Sequence, residues 1–490
     1  MTGSIPPVFK NDLKDTFGQY TAEVRWPIIL QNCIDDITKR LSNPAGDDEN
    51  DDGHVLSVQD KQVGEQIKND LQKLRDQIKN KSHETKVPLF NKDEITKEQD
   101  LQVFNDYLND YNNGKPESQK MTWKNGDWLF TEIYMYRRIH TFFMANESVA
   151  PYWCTFDIFN YLKQSTLKSS YFGVHELSKF YLQTIKPNLN KISESELEEL
   201  YEEFITIALW GNATDLSLLT NATMDDIKAI QGSDSRKKNI EKILVNDSLK
   251  SWEYLKQKTA SSASASGQKT KVDIVCDNSG FEVFSDLILA LFLLDSNLVS
   301  TVEFHLKNLP YMVSDVMMKD VDLLLKDFES PVFFSQHSGN ENTVDPVLYE
   351  LSQCIKNHIK SGKIIFNSHR YWTSCADYWT LAPDSTDADG LEMYNYLAKT
   401  SSLVIFKGDL NYRKLTGDRQ WPRTTSWKQS LGPLGQSKLP VLSLRTCKAD
   451  VMVALPKGVD EKLCELWAKD NEHGSWWCTS GKWAVICFNA

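Results

Sequence analysis

The stretch VDIVCDNSGFEVFSDLILALFLL (272–294) decides the fold of this chain. A short β-branched run stops at Asp277-Asn278-Ser279-Gly280, and a long apolar, helix-like segment begins at once. A strand that passes straight into a helix opens a strand–crossover–strand unit, and such units build parallel sheets covered by helices. Reading outward, short β-rich runs alternate with helical text: DIVC (273–276), YMVS (311–314), KIIF (363–366), SLVIF (402–406), VLSL (441–444) and WAVICF (483–488). The expected fold is α/β, with a Rossmann-like, mainly parallel sheet flanked by helices.

Upstream the grammar differs. In WPIILQNCIDDITKRL (26–41), WLFTEIYMYRRIHTFFMAN (128–146) and SESELEELYEEFITIALWGN (193–212), apolar residues recur at three and four, the helix period. Ser193, followed by acids, suits a helix N-cap. Nothing before residue 270 reads firmly as a strand. The predicted organisation is a helical N-terminal domain over 1–258 that contributes a lid, a flexible Ser/Ala-rich loop over 259–270, and an α/β catalytic domain over 271–490.

At 490 residues the chain exceeds what one core usually supports, which agrees with two domains. A net charge of -12 argues against a broad nucleic-acid footprint, although a local basic pocket for phosphate is compatible with it. The nine cysteines are scattered without a CxxC pair, so neither a zinc knuckle nor a disulfide framework is expected. The first residues, MTGSIPPVFKNDL, lack the apolar core of a signal peptide, and the apolar run 287–294 is too short to span a bilayer. A cytoplasmic location is expected, with the nucleus as a second compartment.

In an open parallel sheet, ligands bind along the edge where the strands end. Asp277 and Asn278 follow the first strand, Asp315 the second and Asn367 the third. Lys407-Gly408-Asp409-Leu410-Asn411-Tyr412-Arg413-Lys414 follows the fourth, and Arg445-Thr446-Cys447-Lys448 the fifth. Asp277, Asn278 and Asp315 form an oxygen-only set suited to a hard or borderline divalent cation. Taken alone, Asp277-Asn278-Ser279-Gly280 reads as well as a cap for the next helix. Glu282 lies one helical turn from Asn278 and suits either a substrate hydroxyl or the helix dipole. Asp409, Asn411 and Arg413 are placed to bind a polyol phosphate, or form a polar surface loop. Arg445 and Lys448 supply a fork and a point charge for phosphate. Cys447, without a CxxxxxR loop, reads as packing. Asn212 and Asp215, in a polar knot after a helix, suit a lid over sugar hydroxyls or a simple cap and turn.

Other schemes lack their motifs: HExxH, GxSxG, GxxxxGK[ST] and GxGxxG are absent, and no histidine reads as part of a close metal-ligand cluster.

The ordered set CDNSGFE (276–282), Asp315, KGDLNYR (407–413) and RTCK (445–448), with WGNATDLS (210–217) and YMYRRI (134–139), resembles the damage-control phosphatase family, formerly a domain of unknown function numbered 89. The Arg-Thr-x-Lys element looks like the branch containing the acidic-residue methyltransferase homologue, and the chain looks like a fungal member of it. The resemblance implies a metal-dependent phosphatase acting on fructose 1-phosphate and fructose 6-phosphate, limiting metabolite damage; the expected mechanism is attack by metal-activated water rather than by Asp277. It implies Asp277, Asn278 and Asp315 as metal ligands and catalytic residues, with Lys448. Substrate contacts would come from those residues and from Glu282, Asp409, Leu410, Asn411, Tyr412, Arg413 and Arg445. The expected ion is Mn²⁺, Ni²⁺ or Co²⁺, with Mg²⁺ as an alternative. The expected partner is a small phosphorylated sugar, with neither nucleic acid nor membrane, and the expected state a monomer. The alternative is an S-adenosylmethionine-dependent methyltransferase acting on protein glutamate; it needs no oxygen-ligated metal and wants a glycine-rich turn that is absent here.

Overall fold

The computed structural model describes residues 4–43, 53–211, 240–264, 269–335 and 343–490. Its sheet has seven strands: β1 (Ile243–Asn246), β2 (Lys271–Val275), β3 (Thr301–Leu306), β4 (Ile364–Ser368), β5 (Leu403–Lys407), β6 (Val441–Thr446) and β7 (Ala484–Asn489). Their spatial order is β1-β7-β6-β5-β2-β3-β4. Only the β6–β7 pair is antiparallel. The chain runs from β2 through β3 to β4 on one side, then returns to start β5 and β6 on the other. That reversal puts the topological switch between β2 and β5, where a crevice opens at the carboxyl ends.

The helices that matter for the site are α1 (Trp128–Met144), α2 (Glu194–Trp210), α3 (Ser248–Ser264), α4 (Phe281–Asp295), α5 (Met318–Phe328), α6 (Ala388–Thr400) and α7 (Gly408–Leu415). Gly280, at φ +67°, makes the break between β2 and α4 with a conformation other residues adopt at a cost. α4 is apolar all round because it is buried all round, from Phe281 to Leu294. It lies between α2 and one face of the sheet, where Val272, Ile274, Leu403 and Ile405 share its core. Val275, Val404, Phe406 and Val441 face the opposite way, into a core with Tyr371, Trp372 and Trp427. A third core gathers α1 and the front helices, and it takes in Tyr311 and Ala449 from loops at the strand ends and Leu410 from α7. The helical part therefore packs against the rim that carries the crevice.

Three expectations need correction. The second strand is TVEFHL (301–306), not YMVS (311–314). Glu303 and His305 disguise it in the sequence, yet both are buried through ion pairs and hydrogen bonds. Met312 and Val313 instead take positive φ, 44° and 71°, in a turn. A β-branched residue in that region is strained and persists only where its surroundings hold it. Second, a strand does precede residue 270: β1 joins the sheet edge parallel to β7. Third, the Ser/Ala-rich run is helical up to Ser264, as the end of α3. Such residues cap or continue a helix where tertiary packing favours it.

All nine cysteines are unpaired. Among the described residues no helix is long and apolar enough to cross a membrane.

Asp327, in α5, is buried with no hydrogen-bond partner on Oδ2 among the described residues. Burial pushes its carboxyl up to about 7, with partial relief from Lys326 and Lys168. The folded state thus holds this proton more tightly than the unfolded chain does, so stability contributed below pH 4 is lost as pH rises through 7. Asp327→Asn is expected to flatten that part of the profile and to stabilise the protein at pH 8 relative to pH 5. Urea unfolding at the two pH values checks this; an unchanged difference between them would refute it.

Candidate active site

The crevice at the switch point is built from four strand ends. Asp277 follows β2, and its carbonyl accepts a hydrogen bond from Val316 N at 2.9 Å, which draws the loop after β3 alongside. An isolated bridge pairs Asn278 with Asp315, and Ser279 N donates to Ser314 O at 2.8 Å. The two carboxylates expected to share a cation thus come from adjoining backbone on one rim of the sheet. Asn278 Nδ2 donates to Asp277 Oδ2 at 2.9 Å and to Glu282 Oε2 at 2.7 Å, while its Oδ1 accepts from Ser314 Oγ at 2.5 Å. The one-turn spacing of Asn278 and Glu282 does put them face to face.

Asp277, Asp315 and Glu282 are all buried. Burial, then the charges of Asp315 and Glu282, hold the Asp277 carboxyl well above its ordinary range, against the pull of Lys307 and Lys448. Burial also raises Asp315, and Lys307 opposes that rise. Lys307 was not expected from the sequence. It follows β3 directly, is buried, and places Nζ 2.8 Å from both Asp315 Oδ2 and Cys276 O. Burial works against its charge, yet Asp315 and Asp277 keep the ammonium above its usual value. The signal that would have revealed it is the strand TVEFHL, which delivers residue 307 to the crevice.

β5 brings Gly408 against Asp277. Gly408 has φ +81°, and a Cβ there would overlap the Asp277 carboxylate, so both the backbone conformation and the space require glycine. Lys407 points into the opposite layer, donating to Asp286 Oδ1 and Ala208 O at 2.6 Å each, with Glu282 Oε1 at 3.4 Å. Burial raises Asp286 to about 7 despite Lys407. Asn411 is buried and fastens α7 to β2: its Nδ2 donates to Val275 O, Cys276 O and Lys407 O, and its Oδ1 accepts from Tyr378 OH at 2.7 Å. Leu410 packs into the core of the front helices. Tyr412 OH accepts from Val453 N at 3.1 Å. The Arg413 guanidinium lies 3.7 Å over the Trp128 ring and pairs with Asp418 at 3.1 Å and Glu132 at 2.5 Å. Lys414 Nζ donates to Ser374 O at 2.9 Å, and burial plus Lys307 lowers it to about 7.

β6 supplies two cations with different fates. Arg445 is fully buried; it donates to Asp409 Oδ1 at 2.7 Å, to Val451 O at 2.7 Å and to Ala449 O at 3.1 Å, and it stacks over Tyr412. Its fork curls the following loop around itself. Asp409 Oδ1 also accepts from Lys448 N at 3.0 Å, which fixes where Lys448 leaves the backbone. The Lys448 side chain is half-buried and close enough to Asp277 to favour its ionised form. Among the described residues its ammonium has no hydrogen-bond or ion-pair partner. Cys447 is buried and burial pushes its thiol up to about 11, in keeping with packing.

The structure thus brings Asp277, Asn278, Glu282, Asp315, Asp409 and Lys448 to one crevice, with Arg445 and Asn411 bracing it. Asn367 does not join them; its amide donates to Glu303 Oε1 at 3.1 Å on β3. Asn212 and Asp215 lie outside the described residues.

The donor set fits a divalent cation. Three carboxylates are crowded in a buried space with Gly408 passing against Asp277, and burial raises Asp277 and Asp315 above the ordinary carboxylate range, so added positive charge favours their ionised forms. Asp277, Asp315 and the Asn278 oxygen would hold it, the last after the amide turns over, since its nitrogen now faces the carboxylates.

A second group of metal-ligand type contradicts the expectation that no histidine joins one. Asp273, Glu303 and His305 are buried on β2 and β3, with ligand atoms within 4.8 Å of one another. Glu-x-His on a strand puts both side chains on one face, a signal visible once the strand is recognised. Lys271 Nζ lies 2.8 Å from Asp273 Oδ1 and 2.5 Å from Glu303 Oε2, so a cation there must compete with an ammonium already in place.

The model for the damage-control phosphatase ARMT1-like domain matches residues 21–463. The zebrafish (Danio rerio) protein named damage-control phosphatase ARMT1 is 35% identical over 397 residues, covering 80% of each chain. Its namesakes from cattle (Bos taurus) and human (Homo sapiens) are 33% and 32% identical over 425 residues, 86% of each chain.

Gly408→Ala is expected to displace the Asp277 carboxylate at a cost of about 1–3 kcal/mol, weakening divalent-metal binding by roughly tenfold or more. Calorimetric titration of the variant against the parent checks this, and unchanged affinity would contradict the close approach.

Proposed function

Because the chain belongs to the damage-control phosphatase ARMT1-like family, we propose that it is a metal-dependent phosphomonoester hydrolase acting on small sugar phosphates such as fructose 1-phosphate and fructose 6-phosphate. The observation that carries this reading is the uncommitted Lys448 ammonium beside a buried group of carboxylates at the switch point. Among the described residues Lys307, Lys407, Arg413, Lys414 and Arg445 already donate within the protein. A phosphoryl group needs a cation that is free to meet it.

Mn²⁺, Ni²⁺ or Co²⁺, with Mg²⁺ as an alternative, would be held by Asp277, Asn278 and Asp315, and when bound would polarise a phosphoryl oxygen and make water more acidic. Lys448 Nζ pairs with a phosphoryl oxygen. Arg445 and Asp409 hold the backbone from which Lys448 projects, so the lysine is aimed in advance. Asp277, whose carboxyl is raised by burial and by the Asp315 and Glu282 charges, takes a proton from the attacking water as the phosphorus–oxygen bond to the sugar breaks, and returns it to the departing sugar oxygen. Glu282 and Asp409 face the sugar hydroxyls, and the front helices close over the rim. Oxygen-18 appearing in Asp277 after a single turnover in labelled water would replace water by the aspartate as nucleophile.

The test is a chelated sample assayed against a panel of sugar phosphates, with each divalent ion restored separately. Phosphate release is expected only after metal is returned. Asp277→Ala should lower kcat/KM by on the order of a hundredfold or more, with loss of metal binding. Lys448→Ala should act chiefly through KM, by roughly tenfold. Full activity of Asp277→Ala, or methyl transfer from S-adenosylmethionine to protein glutamate that survives chelation, would overturn the reading in favour of the methyltransferase alternative.

A further inference from the structure

We infer that the cavity at the opposite edge of the sheet, where the parallel strands begin, binds a phosphate-bearing small molecule of nucleotide or sugar-bisphosphate size. The cavity encloses about 840 Å³ and is walled by the starts of β2, β3 and β5 and by the ends of α3 and α6. That volume falls within the range of pockets that hold small-molecule ligands. It lies on the order of 20 Å from the crevice, six residues along β2 from Asp277 at about 3.3 Å each. It is therefore a separate site, and the inference does not rest on the phosphatase reading.

Five lysines line it, Lys258, Lys269, Lys271, Lys399 and Lys438, against one carboxylate, Glu303. Lys271 forms the floor and is already balanced by Asp273 and Glu303. The excess is the other four, in a chain whose net charge is -12. Among the described residues Lys269, Lys399 and Lys438 have no ion-pair or hydrogen-bond partner, and Lys258 only rests over the Tyr254 ring at 5.1 Å. The helix ends are the competing explanation for cations here, because a C-terminus carries roughly half a negative charge. Two such ends amount to about one negative charge, which four ammonium groups exceed. Ser401 also lines the wall. Phosphate oxygens suit lysines, which act as point charges.

The test titrates the full chain, in EDTA so that the crevice holds no metal, with inorganic phosphate, pyrophosphate, ATP and fructose 1,6-bisphosphate, and with sulfate at matched ionic strength. Saturable binding of a phosphate-bearing probe is expected, unchanged by Lys448→Ala and weakened roughly tenfold or more by combined Lys399→Glu and Lys438→Glu. Both lysines are exposed, so the melting temperature without probe should stay put; Lys258→Glu serves if it does not. Absence of saturable binding, equal binding of sulfate, binding untouched by the charge reversals, or binding abolished by Lys448→Ala would each overturn the inference. Preference for inorganic phosphate over the organic probes would also refute the proposed ligand size.

Discussion

Three carboxylates buried together at the end of β2 set the terms for the rest of the molecule. Asp277, Asp315 and Glu282 cannot all stay ionised away from water unless positive charge is brought to them. The fold supplies part of it. Lys307 pairs with Asp315, and Lys407 serves Asp286 and Glu282. Asp277 is left with the Asn278 amide and, at longer range, Lys307 and Lys448, and its proton affinity is driven well up. A site short of positive charge in this way favours a divalent cation when ionised and a proton when empty.

Much of the surrounding polarity holds this arrangement in position. Asn411 ties α7 to the last carbonyls of β2, so the close pass of Gly408 over Asp277 is fixed at both ends. Arg413 is clamped between Trp128 and two carboxylates, joining the front helices to α7. Arg445 organises its own loop and Asp409. Buried arginines with every guanidinium nitrogen engaged are costly to break but contribute precise placement. They brace the crevice, and Lys448 is the cation they leave available.

The strand ends were legible because parallel strands in a crossover fold must deliver their following residues to one rim. Asp277, Asn278 and Glu282 could be placed relative to one another from helix and turn spacing alone. Lys307 and the Asp273–Glu303–His305 group could not, since β3 hides behind two polar residues, Glu303 and His305. Their burial depends on Lys271 from a neighbouring strand, a pairing no local pattern encodes. YMVS looked like a strand by composition, whereas the tertiary packing of the Asp315 loop holds Met312 and Val313 in left-handed turns.

What the sequence determined by itself is the alternation of strands and helices, the mainly parallel sheet, and the set of oxygen-bearing residues that follow its strands. Periodicity and strand–turn–helix chemistry are local, so they can be read along the chain. Which cations are committed and which is available was decided only in three dimensions. Arg413, Arg445 and Lys448 look equivalent in sequence, but Glu132 reaches Arg413 and Asp409 reaches Arg445 from other segments, and burial turns these two into braces while leaving Lys448 beside the carboxylates.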